Sequence, residues 1–312
     1  MQKNKLNYAL PLLSDRVRAA VEKLPAGILS EVQEIRLRRA GVLGITLSGH
    51  ERFVATGGRL TDDAASAFVI TDADVDHTYY AALKNSIHSF EKEIRQGYVT
   101  AEGGNRVGFC GKAVISYENG ERLLTLKDIS SVNIRIASEM IGCSDDLCRN
   151  IFDGGLCSLL IAGPPASGKT TILRDLCRNL SERARIALAD ERGELAAVCA
   201  GTPQNSVGAR TDIFTSYPKI TAILTAVRVM SPEIIICDEV GSADELAAFE
   251  YAVNSGVRLI ASCHAASFDE LVHRPVISEL LALNAFDFAV ILGSGEKCGK
   301  VIDRIDLRNA HA

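Results

Sequence analysis

No two cysteines stand at C-x-x-C spacing in this 312-residue chain, and the nine present, at 110, 143, 148, 157, 177, 199, 237, 263 and 298, are odd in number. That scatter argues against a zinc cluster or a disulfide framework. With Cys157, Cys237 and Cys263 inside apolar runs, it is the usage of small buried residues in a reducing compartment. Long apolar runs are also missing. No stretch approaches the roughly 18 uninterrupted apolar residues a spanning helix needs. Pro11, Ser14 and Asp15 interrupt the N-terminal run where a signal peptide would carry its apolar core. The expectation is a cytoplasmic chain that reaches a membrane only through a partner, without inserting. A positive charge excess is missing too: a net charge of -5 and a pI near 5.8 argue against a surface built as a whole for nucleic acid. The chain has no long repeat and no low-complexity segment.

What remains is ordinary soluble-protein composition, 47% hydrophobic and 23% charged, in a chain long enough for two domains. The first half reads as α+β. In "VQEIRLRRAGVLGITLSGHERFV" (32–54), Ile35 and Leu37, then Ile45 and Leu47, alternate as in strands joined at Gly41 or Gly44. Residues 72–97 carry helical spacing that stops at Gly97. Residues 98–138 are strand-rich, with hairpin turns at Gly103-Gly104 and Asn119-Gly120. The polar "GCSDDLCRN" is the domain boundary, giving an N-terminal α+β domain at 1–145 and a second domain at 146–312. There, apolar runs at 156–162, 185–189, 234–237 and 257–262 each lead into a turn and a helix-like segment. Such alternation predicts an α/β domain with a mostly parallel sheet, whose ligands bind at the carboxyl ends of the strands.

The chemistry follows that edge. Gly163-Pro164-Pro165-Ala166-Ser167-Gly168-Lys169-Thr170 satisfies the P-loop pattern, after an apolar strand and before a helix, with Thr171 next in line. Glycines let the backbone curl so that its N–H groups face phosphate oxygens. Lys169 would neutralise phosphate charge and Thr170 would ligate Mg²⁺ beside ATP. The buried run "EIIIC" ends in Asp238-Glu239, placing one acid for Mg²⁺ (Asp238) and one for polarising water (Glu239). The next helix has its own start signal in a capping box, Ser242-x-x-Glu245. His264 ends another core run, where it could bond the γ-phosphate or the attacking water. Asp190, Glu191 and Glu194, in "IALADERGELAA", emerge at the same edge, and which of the three faces metal or water stays open.

A P-loop, an acidic box, a Walker B strand and a histidine box, in this order, resemble the secretion-superfamily ATPases of type II and type IV secretion and type IV pili. The family's acidic box runs close to Glu-Asp-Pro-x-Glu; here Asp190-Glu191-Arg192-Gly193-Glu194 inverts the first two acids and replaces proline by arginine. Arg228 matches the family's helix arginine, and Arg210 lies in a loop where a nucleotide contact is plausible. Arg106 and Arg135 are candidates for arginines that the N-terminal domain offers to phosphates. "EIRLR", "QGYVTAEGGNRVGFCGKAV", "DISSVNIRIA", "GPPASGKTTILRDLCR" and "DERGELA" narrow the resemblance to the sporulation stage III AA family of endospore-forming Firmicutes. It implies a RecA-like ATPase of the mother-cell cytoplasm, a ring hexamer, that serves integral-membrane channel components during sporulation. It further implies a small domain driven against the P-loop domain, with the site completed between subunits. A nucleic-acid-dependent P-loop ATPase is the alternative, permitted by Arg36, Arg38 and Arg39; a small-molecule kinase is disfavoured by Glu239 and His264.

Overall fold

In the computed structural model, residues 2–84, 93–94, 97–117 and 122–308 are described. They form two compact units: Gln2–Glu139 with Cys199–Gln204, and Met140–Val198 with Asn205–Ala312.

In the first unit, β1 (Val32–Arg38) buries Val32, Ile35 and Leu37 and turns the residues between them outward, as the alternation predicts. It sits in an antiparallel sheet with β2 (Gly44–Leu47), β3 (His50–Ala55), β4 (Arg59–Thr61), β5 (Tyr98–Thr100), β6 (Arg106–Ser116) and β7 (Arg122–Arg135). Their spatial order is β4-β3-β2-β1-β7-β6-β5. The sheet's apolar residues share one core with α1 (Asp15–Glu22), through Val17 and Val21, and with α2 (Asp72–Ala82), through Val75 and Tyr79. Each such aliphatic side chain taken fully out of water contributes about 2 kcal/mol. Gly103 and Gly104, both at positive φ, form the turn between β5 and β6. The helix expected over 72–97 closes instead at Ala82, and the rest of that span lies largely outside the described residues, as does the Asn119-Gly120 turn. Arg106 and Arg135 face each other across β6 and β7, with the Arg106 guanidinium 4.9 Å from the Tyr98 ring centre.

Cys199–Gln204 belongs to this unit although it interrupts the sequence of the other. Lys5 Nζ donates to the Gln204 carbonyl at 2.6 Å, and the Gly103 amide donates to its side-chain oxygen at 2.8 Å.

The second unit has a RecA-like fold around β8 (Leu159–Ala162), β9 (Ile186–Asp190), β10 (Thr211–Thr215), β11 (Ile234–Cys237), β12 (Arg258–Cys263), β13 (Phe288–Leu292) and β14 (Val301–Asp306). They lie in the order β10-β9-β11-β12-β8-β13-β14, parallel except for the last pair. Helices cover both faces, so β8, β9 and β11 are buried along their whole length and read as continuous apolar runs. The order sets four consecutive carboxyl ends in a row: β9, β11, β12 and β8. None of the nine cysteines is in a disulfide.

The helix after the P-loop, α3 (Lys169–Leu180), is tied down by Asp175. Its carboxylate accepts from the amides of Gly142 (3.1 Å) and Ser144 (2.8 Å), from Ser144 Oγ (2.8 Å) and from Arg178 Nε (2.7 Å). Burial acts to raise this carboxyl's pKa, but Arg178 and the Ser144 and Gly142 donors outweigh it and hold it below the usual range. A depressed folded pKa means stability that is complete above the unfolded value and is lost as pH falls through the folded one. Asp175→Asn is expected to cost about 3 kcal/mol, since it sets an amide against the Ser144 and Gly142 donors. Urea midpoints measured from pH 7 downward should show the variant losing less on acidification than the wild type.

Candidate functional site

Four strand ends converge. At the end of β8 the chain curls through 163–168, with Ala166 and Gly168 at positive φ, and Gly168 opens α3. A methyl group at Gly163 would lie 2.4 Å from Ser167 Oγ and 3.1 Å from Leu292 Cβ, so a larger residue there would force its neighbours to shift. Loop 295–299 braces this curl from the side: the Gly299 amide donates to the Ser167 carbonyl at 2.9 Å, and Cys298 Sγ approaches the Ala166 carbonyl at 3.2 Å. That loop carries no motif and escaped the sequence reading.

Lys169 folds back over the curl. Its Nζ donates to the Gly163 and Pro164 carbonyls at 2.9 Å each and lies 3.2 Å from His264 Nδ1. As an ammonium can only donate, Nδ1 accepts, and the ring proton belongs on Nε2. Nε2 stands 3.6 Å from Glu239 Oε1. Burial pushes the Lys169 pKa down, against the pull of Asp238, Cys263 and Glu239.

Asp238 joins the two motifs. Its Oδ2 accepts from Thr170 Oγ1 at 3.0 Å, and its Oδ1 accepts from Ser262 Oγ. Ser262 Oγ in turn accepts from the Glu239 amide at 2.9 Å. Ser262, wholly buried on β12, thus connects the two acids, and it too was missed by the sequence reading.

The acidic box divides by role. Asp190 is buried, and its carboxylate turns into its own loop: Oδ1 accepts from the amides of Glu194 (2.8 Å) and Leu195 (3.1 Å), Oδ2 from Ala196 (2.8 Å). Burial raises its pKa and the three amides oppose that. Glu191 is exposed on the loop, and the Glu194 carbonyl accepts from Arg174 Nη2 at 2.8 Å. Arg192 of the box reaches the acid after β11: its Nη1 lies 2.8 Å from Glu239 Oε2. Arg192 stands where the secretion-ATPase pattern has proline.

Two predicted residues lie elsewhere. Arg210 precedes β10 at the amino-terminal edge of the sheet and donates to the Ser181 carbonyl at 3.0 Å. Arg228 sits in the π-helical segment Ala226–Met230 that continues the helix Lys219–Thr225 and leads to the start of β11, its guanidinium 6.0 Å from the Tyr251 ring centre. Within the chain, neither joins the cluster of Lys169, Asp238 and His264. The capping box is corrected: Ser242 makes no side-chain cap, and the Glu245 carboxylate turns to Lys219 instead.

The residues fit a nucleotide polyphosphate with Mg²⁺. Ser167 Oγ is a buried polar atom with no hydrogen-bond partner inside the 163–168 curl, where an unmet polar group costs about 1–3 kcal/mol. Thr170 and Asp238 present the hard oxygen donors Mg²⁺ prefers.

The chain matches the family described as "Sporulation stage III, protein AA" over residues 2–311. It is 32% identical over 303 residues to the stage III sporulation protein AA of Bacillus subtilis strain 168, covering 95% of this chain and 94% of that protein. Among solved structures, the ATPase DotB of Yersinia pseudotuberculosis superposes with a TM-score of 0.56 at 12% identity, over 95% of this chain and 81% of DotB. The pilus retraction motor PilT, solved with bound ADP, gives 0.55 at 12% identity, over 89% of this chain and 77% of PilT. At such identity these likenesses establish a shared fold.

Proposed function

Because the chain belongs to the sporulation stage III protein AA family and has the fold of secretion-system ATPases, we propose that it is a Mg²⁺-dependent ATPase. Its work would be to energise a membrane channel complex during endospore formation. The observation that carries this reading is the linkage of P-loop to Walker B strand through Thr170 Oγ1 and Asp238, with Lys169, His264 and Glu239 beside it.

Residues 163–171 bind the polyphosphate through backbone N–H groups and the start of α3, and Lys169 adds the positive charge. Mg²⁺, when bound, offsets phosphate charge as it builds up in the transition state. Thr170 and Asp238 would hold it. Glu239 orients the attacking water and takes its proton at a carboxylate oxygen. His264, between Lys169 and Glu239, is placed to sense whether the Lys169 charge faces phosphate or the P-loop carbonyls. Asp190 shapes the 191–196 loop and so delivers Arg192 to Glu239. We assign this chemistry to residues 146–312 and leave 1–145 as a separate α+β domain.

The same reading makes the working form a homo-oligomer, a hexameric ring, in the mother-cell cytoplasm, docked on integral-membrane sporulation components. Arg210 and Arg228 are then candidates to act on a neighbouring copy. Among the described residues no helix is long and apolar enough to cross a membrane, and no nucleic acid is expected.

Phosphate release should require both ATP and Mg²⁺, stop on chelation, and rise when the membrane component is added. Mass measurement in parallel should find a hexamer in the active fraction. A monomer that stays inactive with the membrane component would refute the proposal, and stimulation by DNA or RNA that weakens steeply with salt would favour a nucleic-acid motor.

A further inference from the structure

Lys219 Nζ and Glu245 Oε1 meet at 2.8 Å, with side chains only 8% and 12% exposed. The helices and strand that carry the pair and its turn also supply Ile223, Cys237, Val240 and Phe249 to one apolar core cluster. Two charges there cost several kcal/mol in lost hydration, which their attraction offsets only with good geometry and further hydrogen bonds. Apolar side chains of similar size would fill the space as well. The remaining contacts of the pair say what it does instead. Lys219 Nζ also donates to the main-chain carbonyl of Glu239, and Glu245 Oε2 accepts from the Gly241 amide at 3.4 Å. One ion pair therefore grips both ends of the turn 239–241.

That turn needs holding. Glu239 has φ of 48°, in the left-handed region, which costs a residue with a side chain on the order of 1 kcal/mol. Ser262 secures its other groups: its Oγ accepts from the Glu239 amide at 2.9 Å and its carbonyl from the Val240 amide at 2.7 Å. Ser262 therefore fixes where the turn begins and holds the amide of the peptide plane that follows Glu239, Lys219 holds the carbonyl of that plane, and Glu245 holds the next plane through the Gly241 amide. If that plane relaxed, Glu239 would return to the common right-handed region and its side chain would leave in another direction.

We infer that Lys219 and Glu245 are a positioning pair that sets the direction of the Glu239 carboxylate. The inference rests on reading Glu239 as the water-orienting group. Neither residue is catalytic; both act through the backbone of the 239–241 turn.

The test replaces both charges together, Lys219→Met with Glu245→Leu, keeping the core filled. Thermal unfolding and affinity for a non-hydrolysable ATP analogue should stay near wild type, with KM within about twofold. kcat should fall about 100-fold, the usual cost of misplacing a reacting group by about 1 Å. Hydrogen exchange at the Gly241 amide should quicken at least about tenfold, since a released turn opens locally. Lys219→Arg, which keeps donors for both partners, should retain most of kcat. Should the double variant not fold, Glu245→Gln, which keeps size but not charge, should show the same split of kcat from KM. Near-wild-type kcat in the folded double variant or in Glu245→Gln, or unchanged exchange at Gly241, would overturn the inference. If the wild type releases no phosphate under any condition, the ATPase reading fails, while Gly241 exchange still decides whether the pair holds the turn.

Discussion

Replacing Lys169 by methionine is expected to abolish ATP binding, with affinity falling at least about 100-fold to 1,000-fold. A charge-assisted hydrogen bond to phosphate contributes roughly twice a neutral one, and the loss here leaves other groups unmet as well. In the wild type the ammonium rests between the carbonyls of Gly163 and Pro164 and beside His264 Nδ1. It is buried, and burial depresses its pKa, so phosphate oxygens offer this ammonium a counter-charge that the carbonyls do not. Methionine keeps the stem's packing and removes only the charge. Titration with a fluorescent ATP analogue measures the effect, and thermal unfolding separates it from a folding defect. Binding within about threefold of wild type would remove Lys169 from its assigned role.

Glu239→Gln should give the opposite profile. Nucleotide affinity should stay within about twofold, while turnover falls by about 100-fold to 10,000-fold, the range lost with a general base. Glutamine keeps the shape, and its carbonyl oxygen can still accept from Arg192, but it takes no proton from water. The backbone of residue 239 is held by Ser262 and Lys219 through main-chain groups, so the substitution leaves the turn intact. A single-turnover measurement of phosphate release is the decisive readout, because a fault in product release would spare the first turnover. Near-wild-type turnover in this variant would sink the assignment of Glu239 as the water-orienting group.

Much of the site could be read in the sequence because it is local. The P-loop is a run of adjacent residues whose glycines, lysine and threonine carry their geometry with them. Asp238 and His264 follow buried runs, and a parallel sheet places all such ends at one edge. The reading was weaker where a side chain had several possible partners. Glu245 fits a capping box by spacing, yet it turns to Lys219, which is 26 positions away and carries no motif. Asp190, Glu191 and Glu194 look alike in sequence; only the loop's path shows Asp190 turned into its own backbone and Arg192 reaching Glu239. Ser262 was hidden for a similar reason, since a serine inside an apolar strand gives no hint that two acids from another strand meet it.

The sequence by itself determined the α/β character of the second half, the place of the curl at 163–168 after its strand, and the position of Asp238 and Glu239 at the end of another strand. These follow from strand-length apolar runs and from short motifs, whose physics acts between near neighbours. Tertiary structure alone decided the strand order that brings β9, β11, β12 and β8 side by side. It also decided that Arg210 stands at the opposite edge, and that a buried ion pair from two helical segments meets the 239–241 turn. Those outcomes depend on which distant segments share a core, and a chain's periodicity carries no record of that.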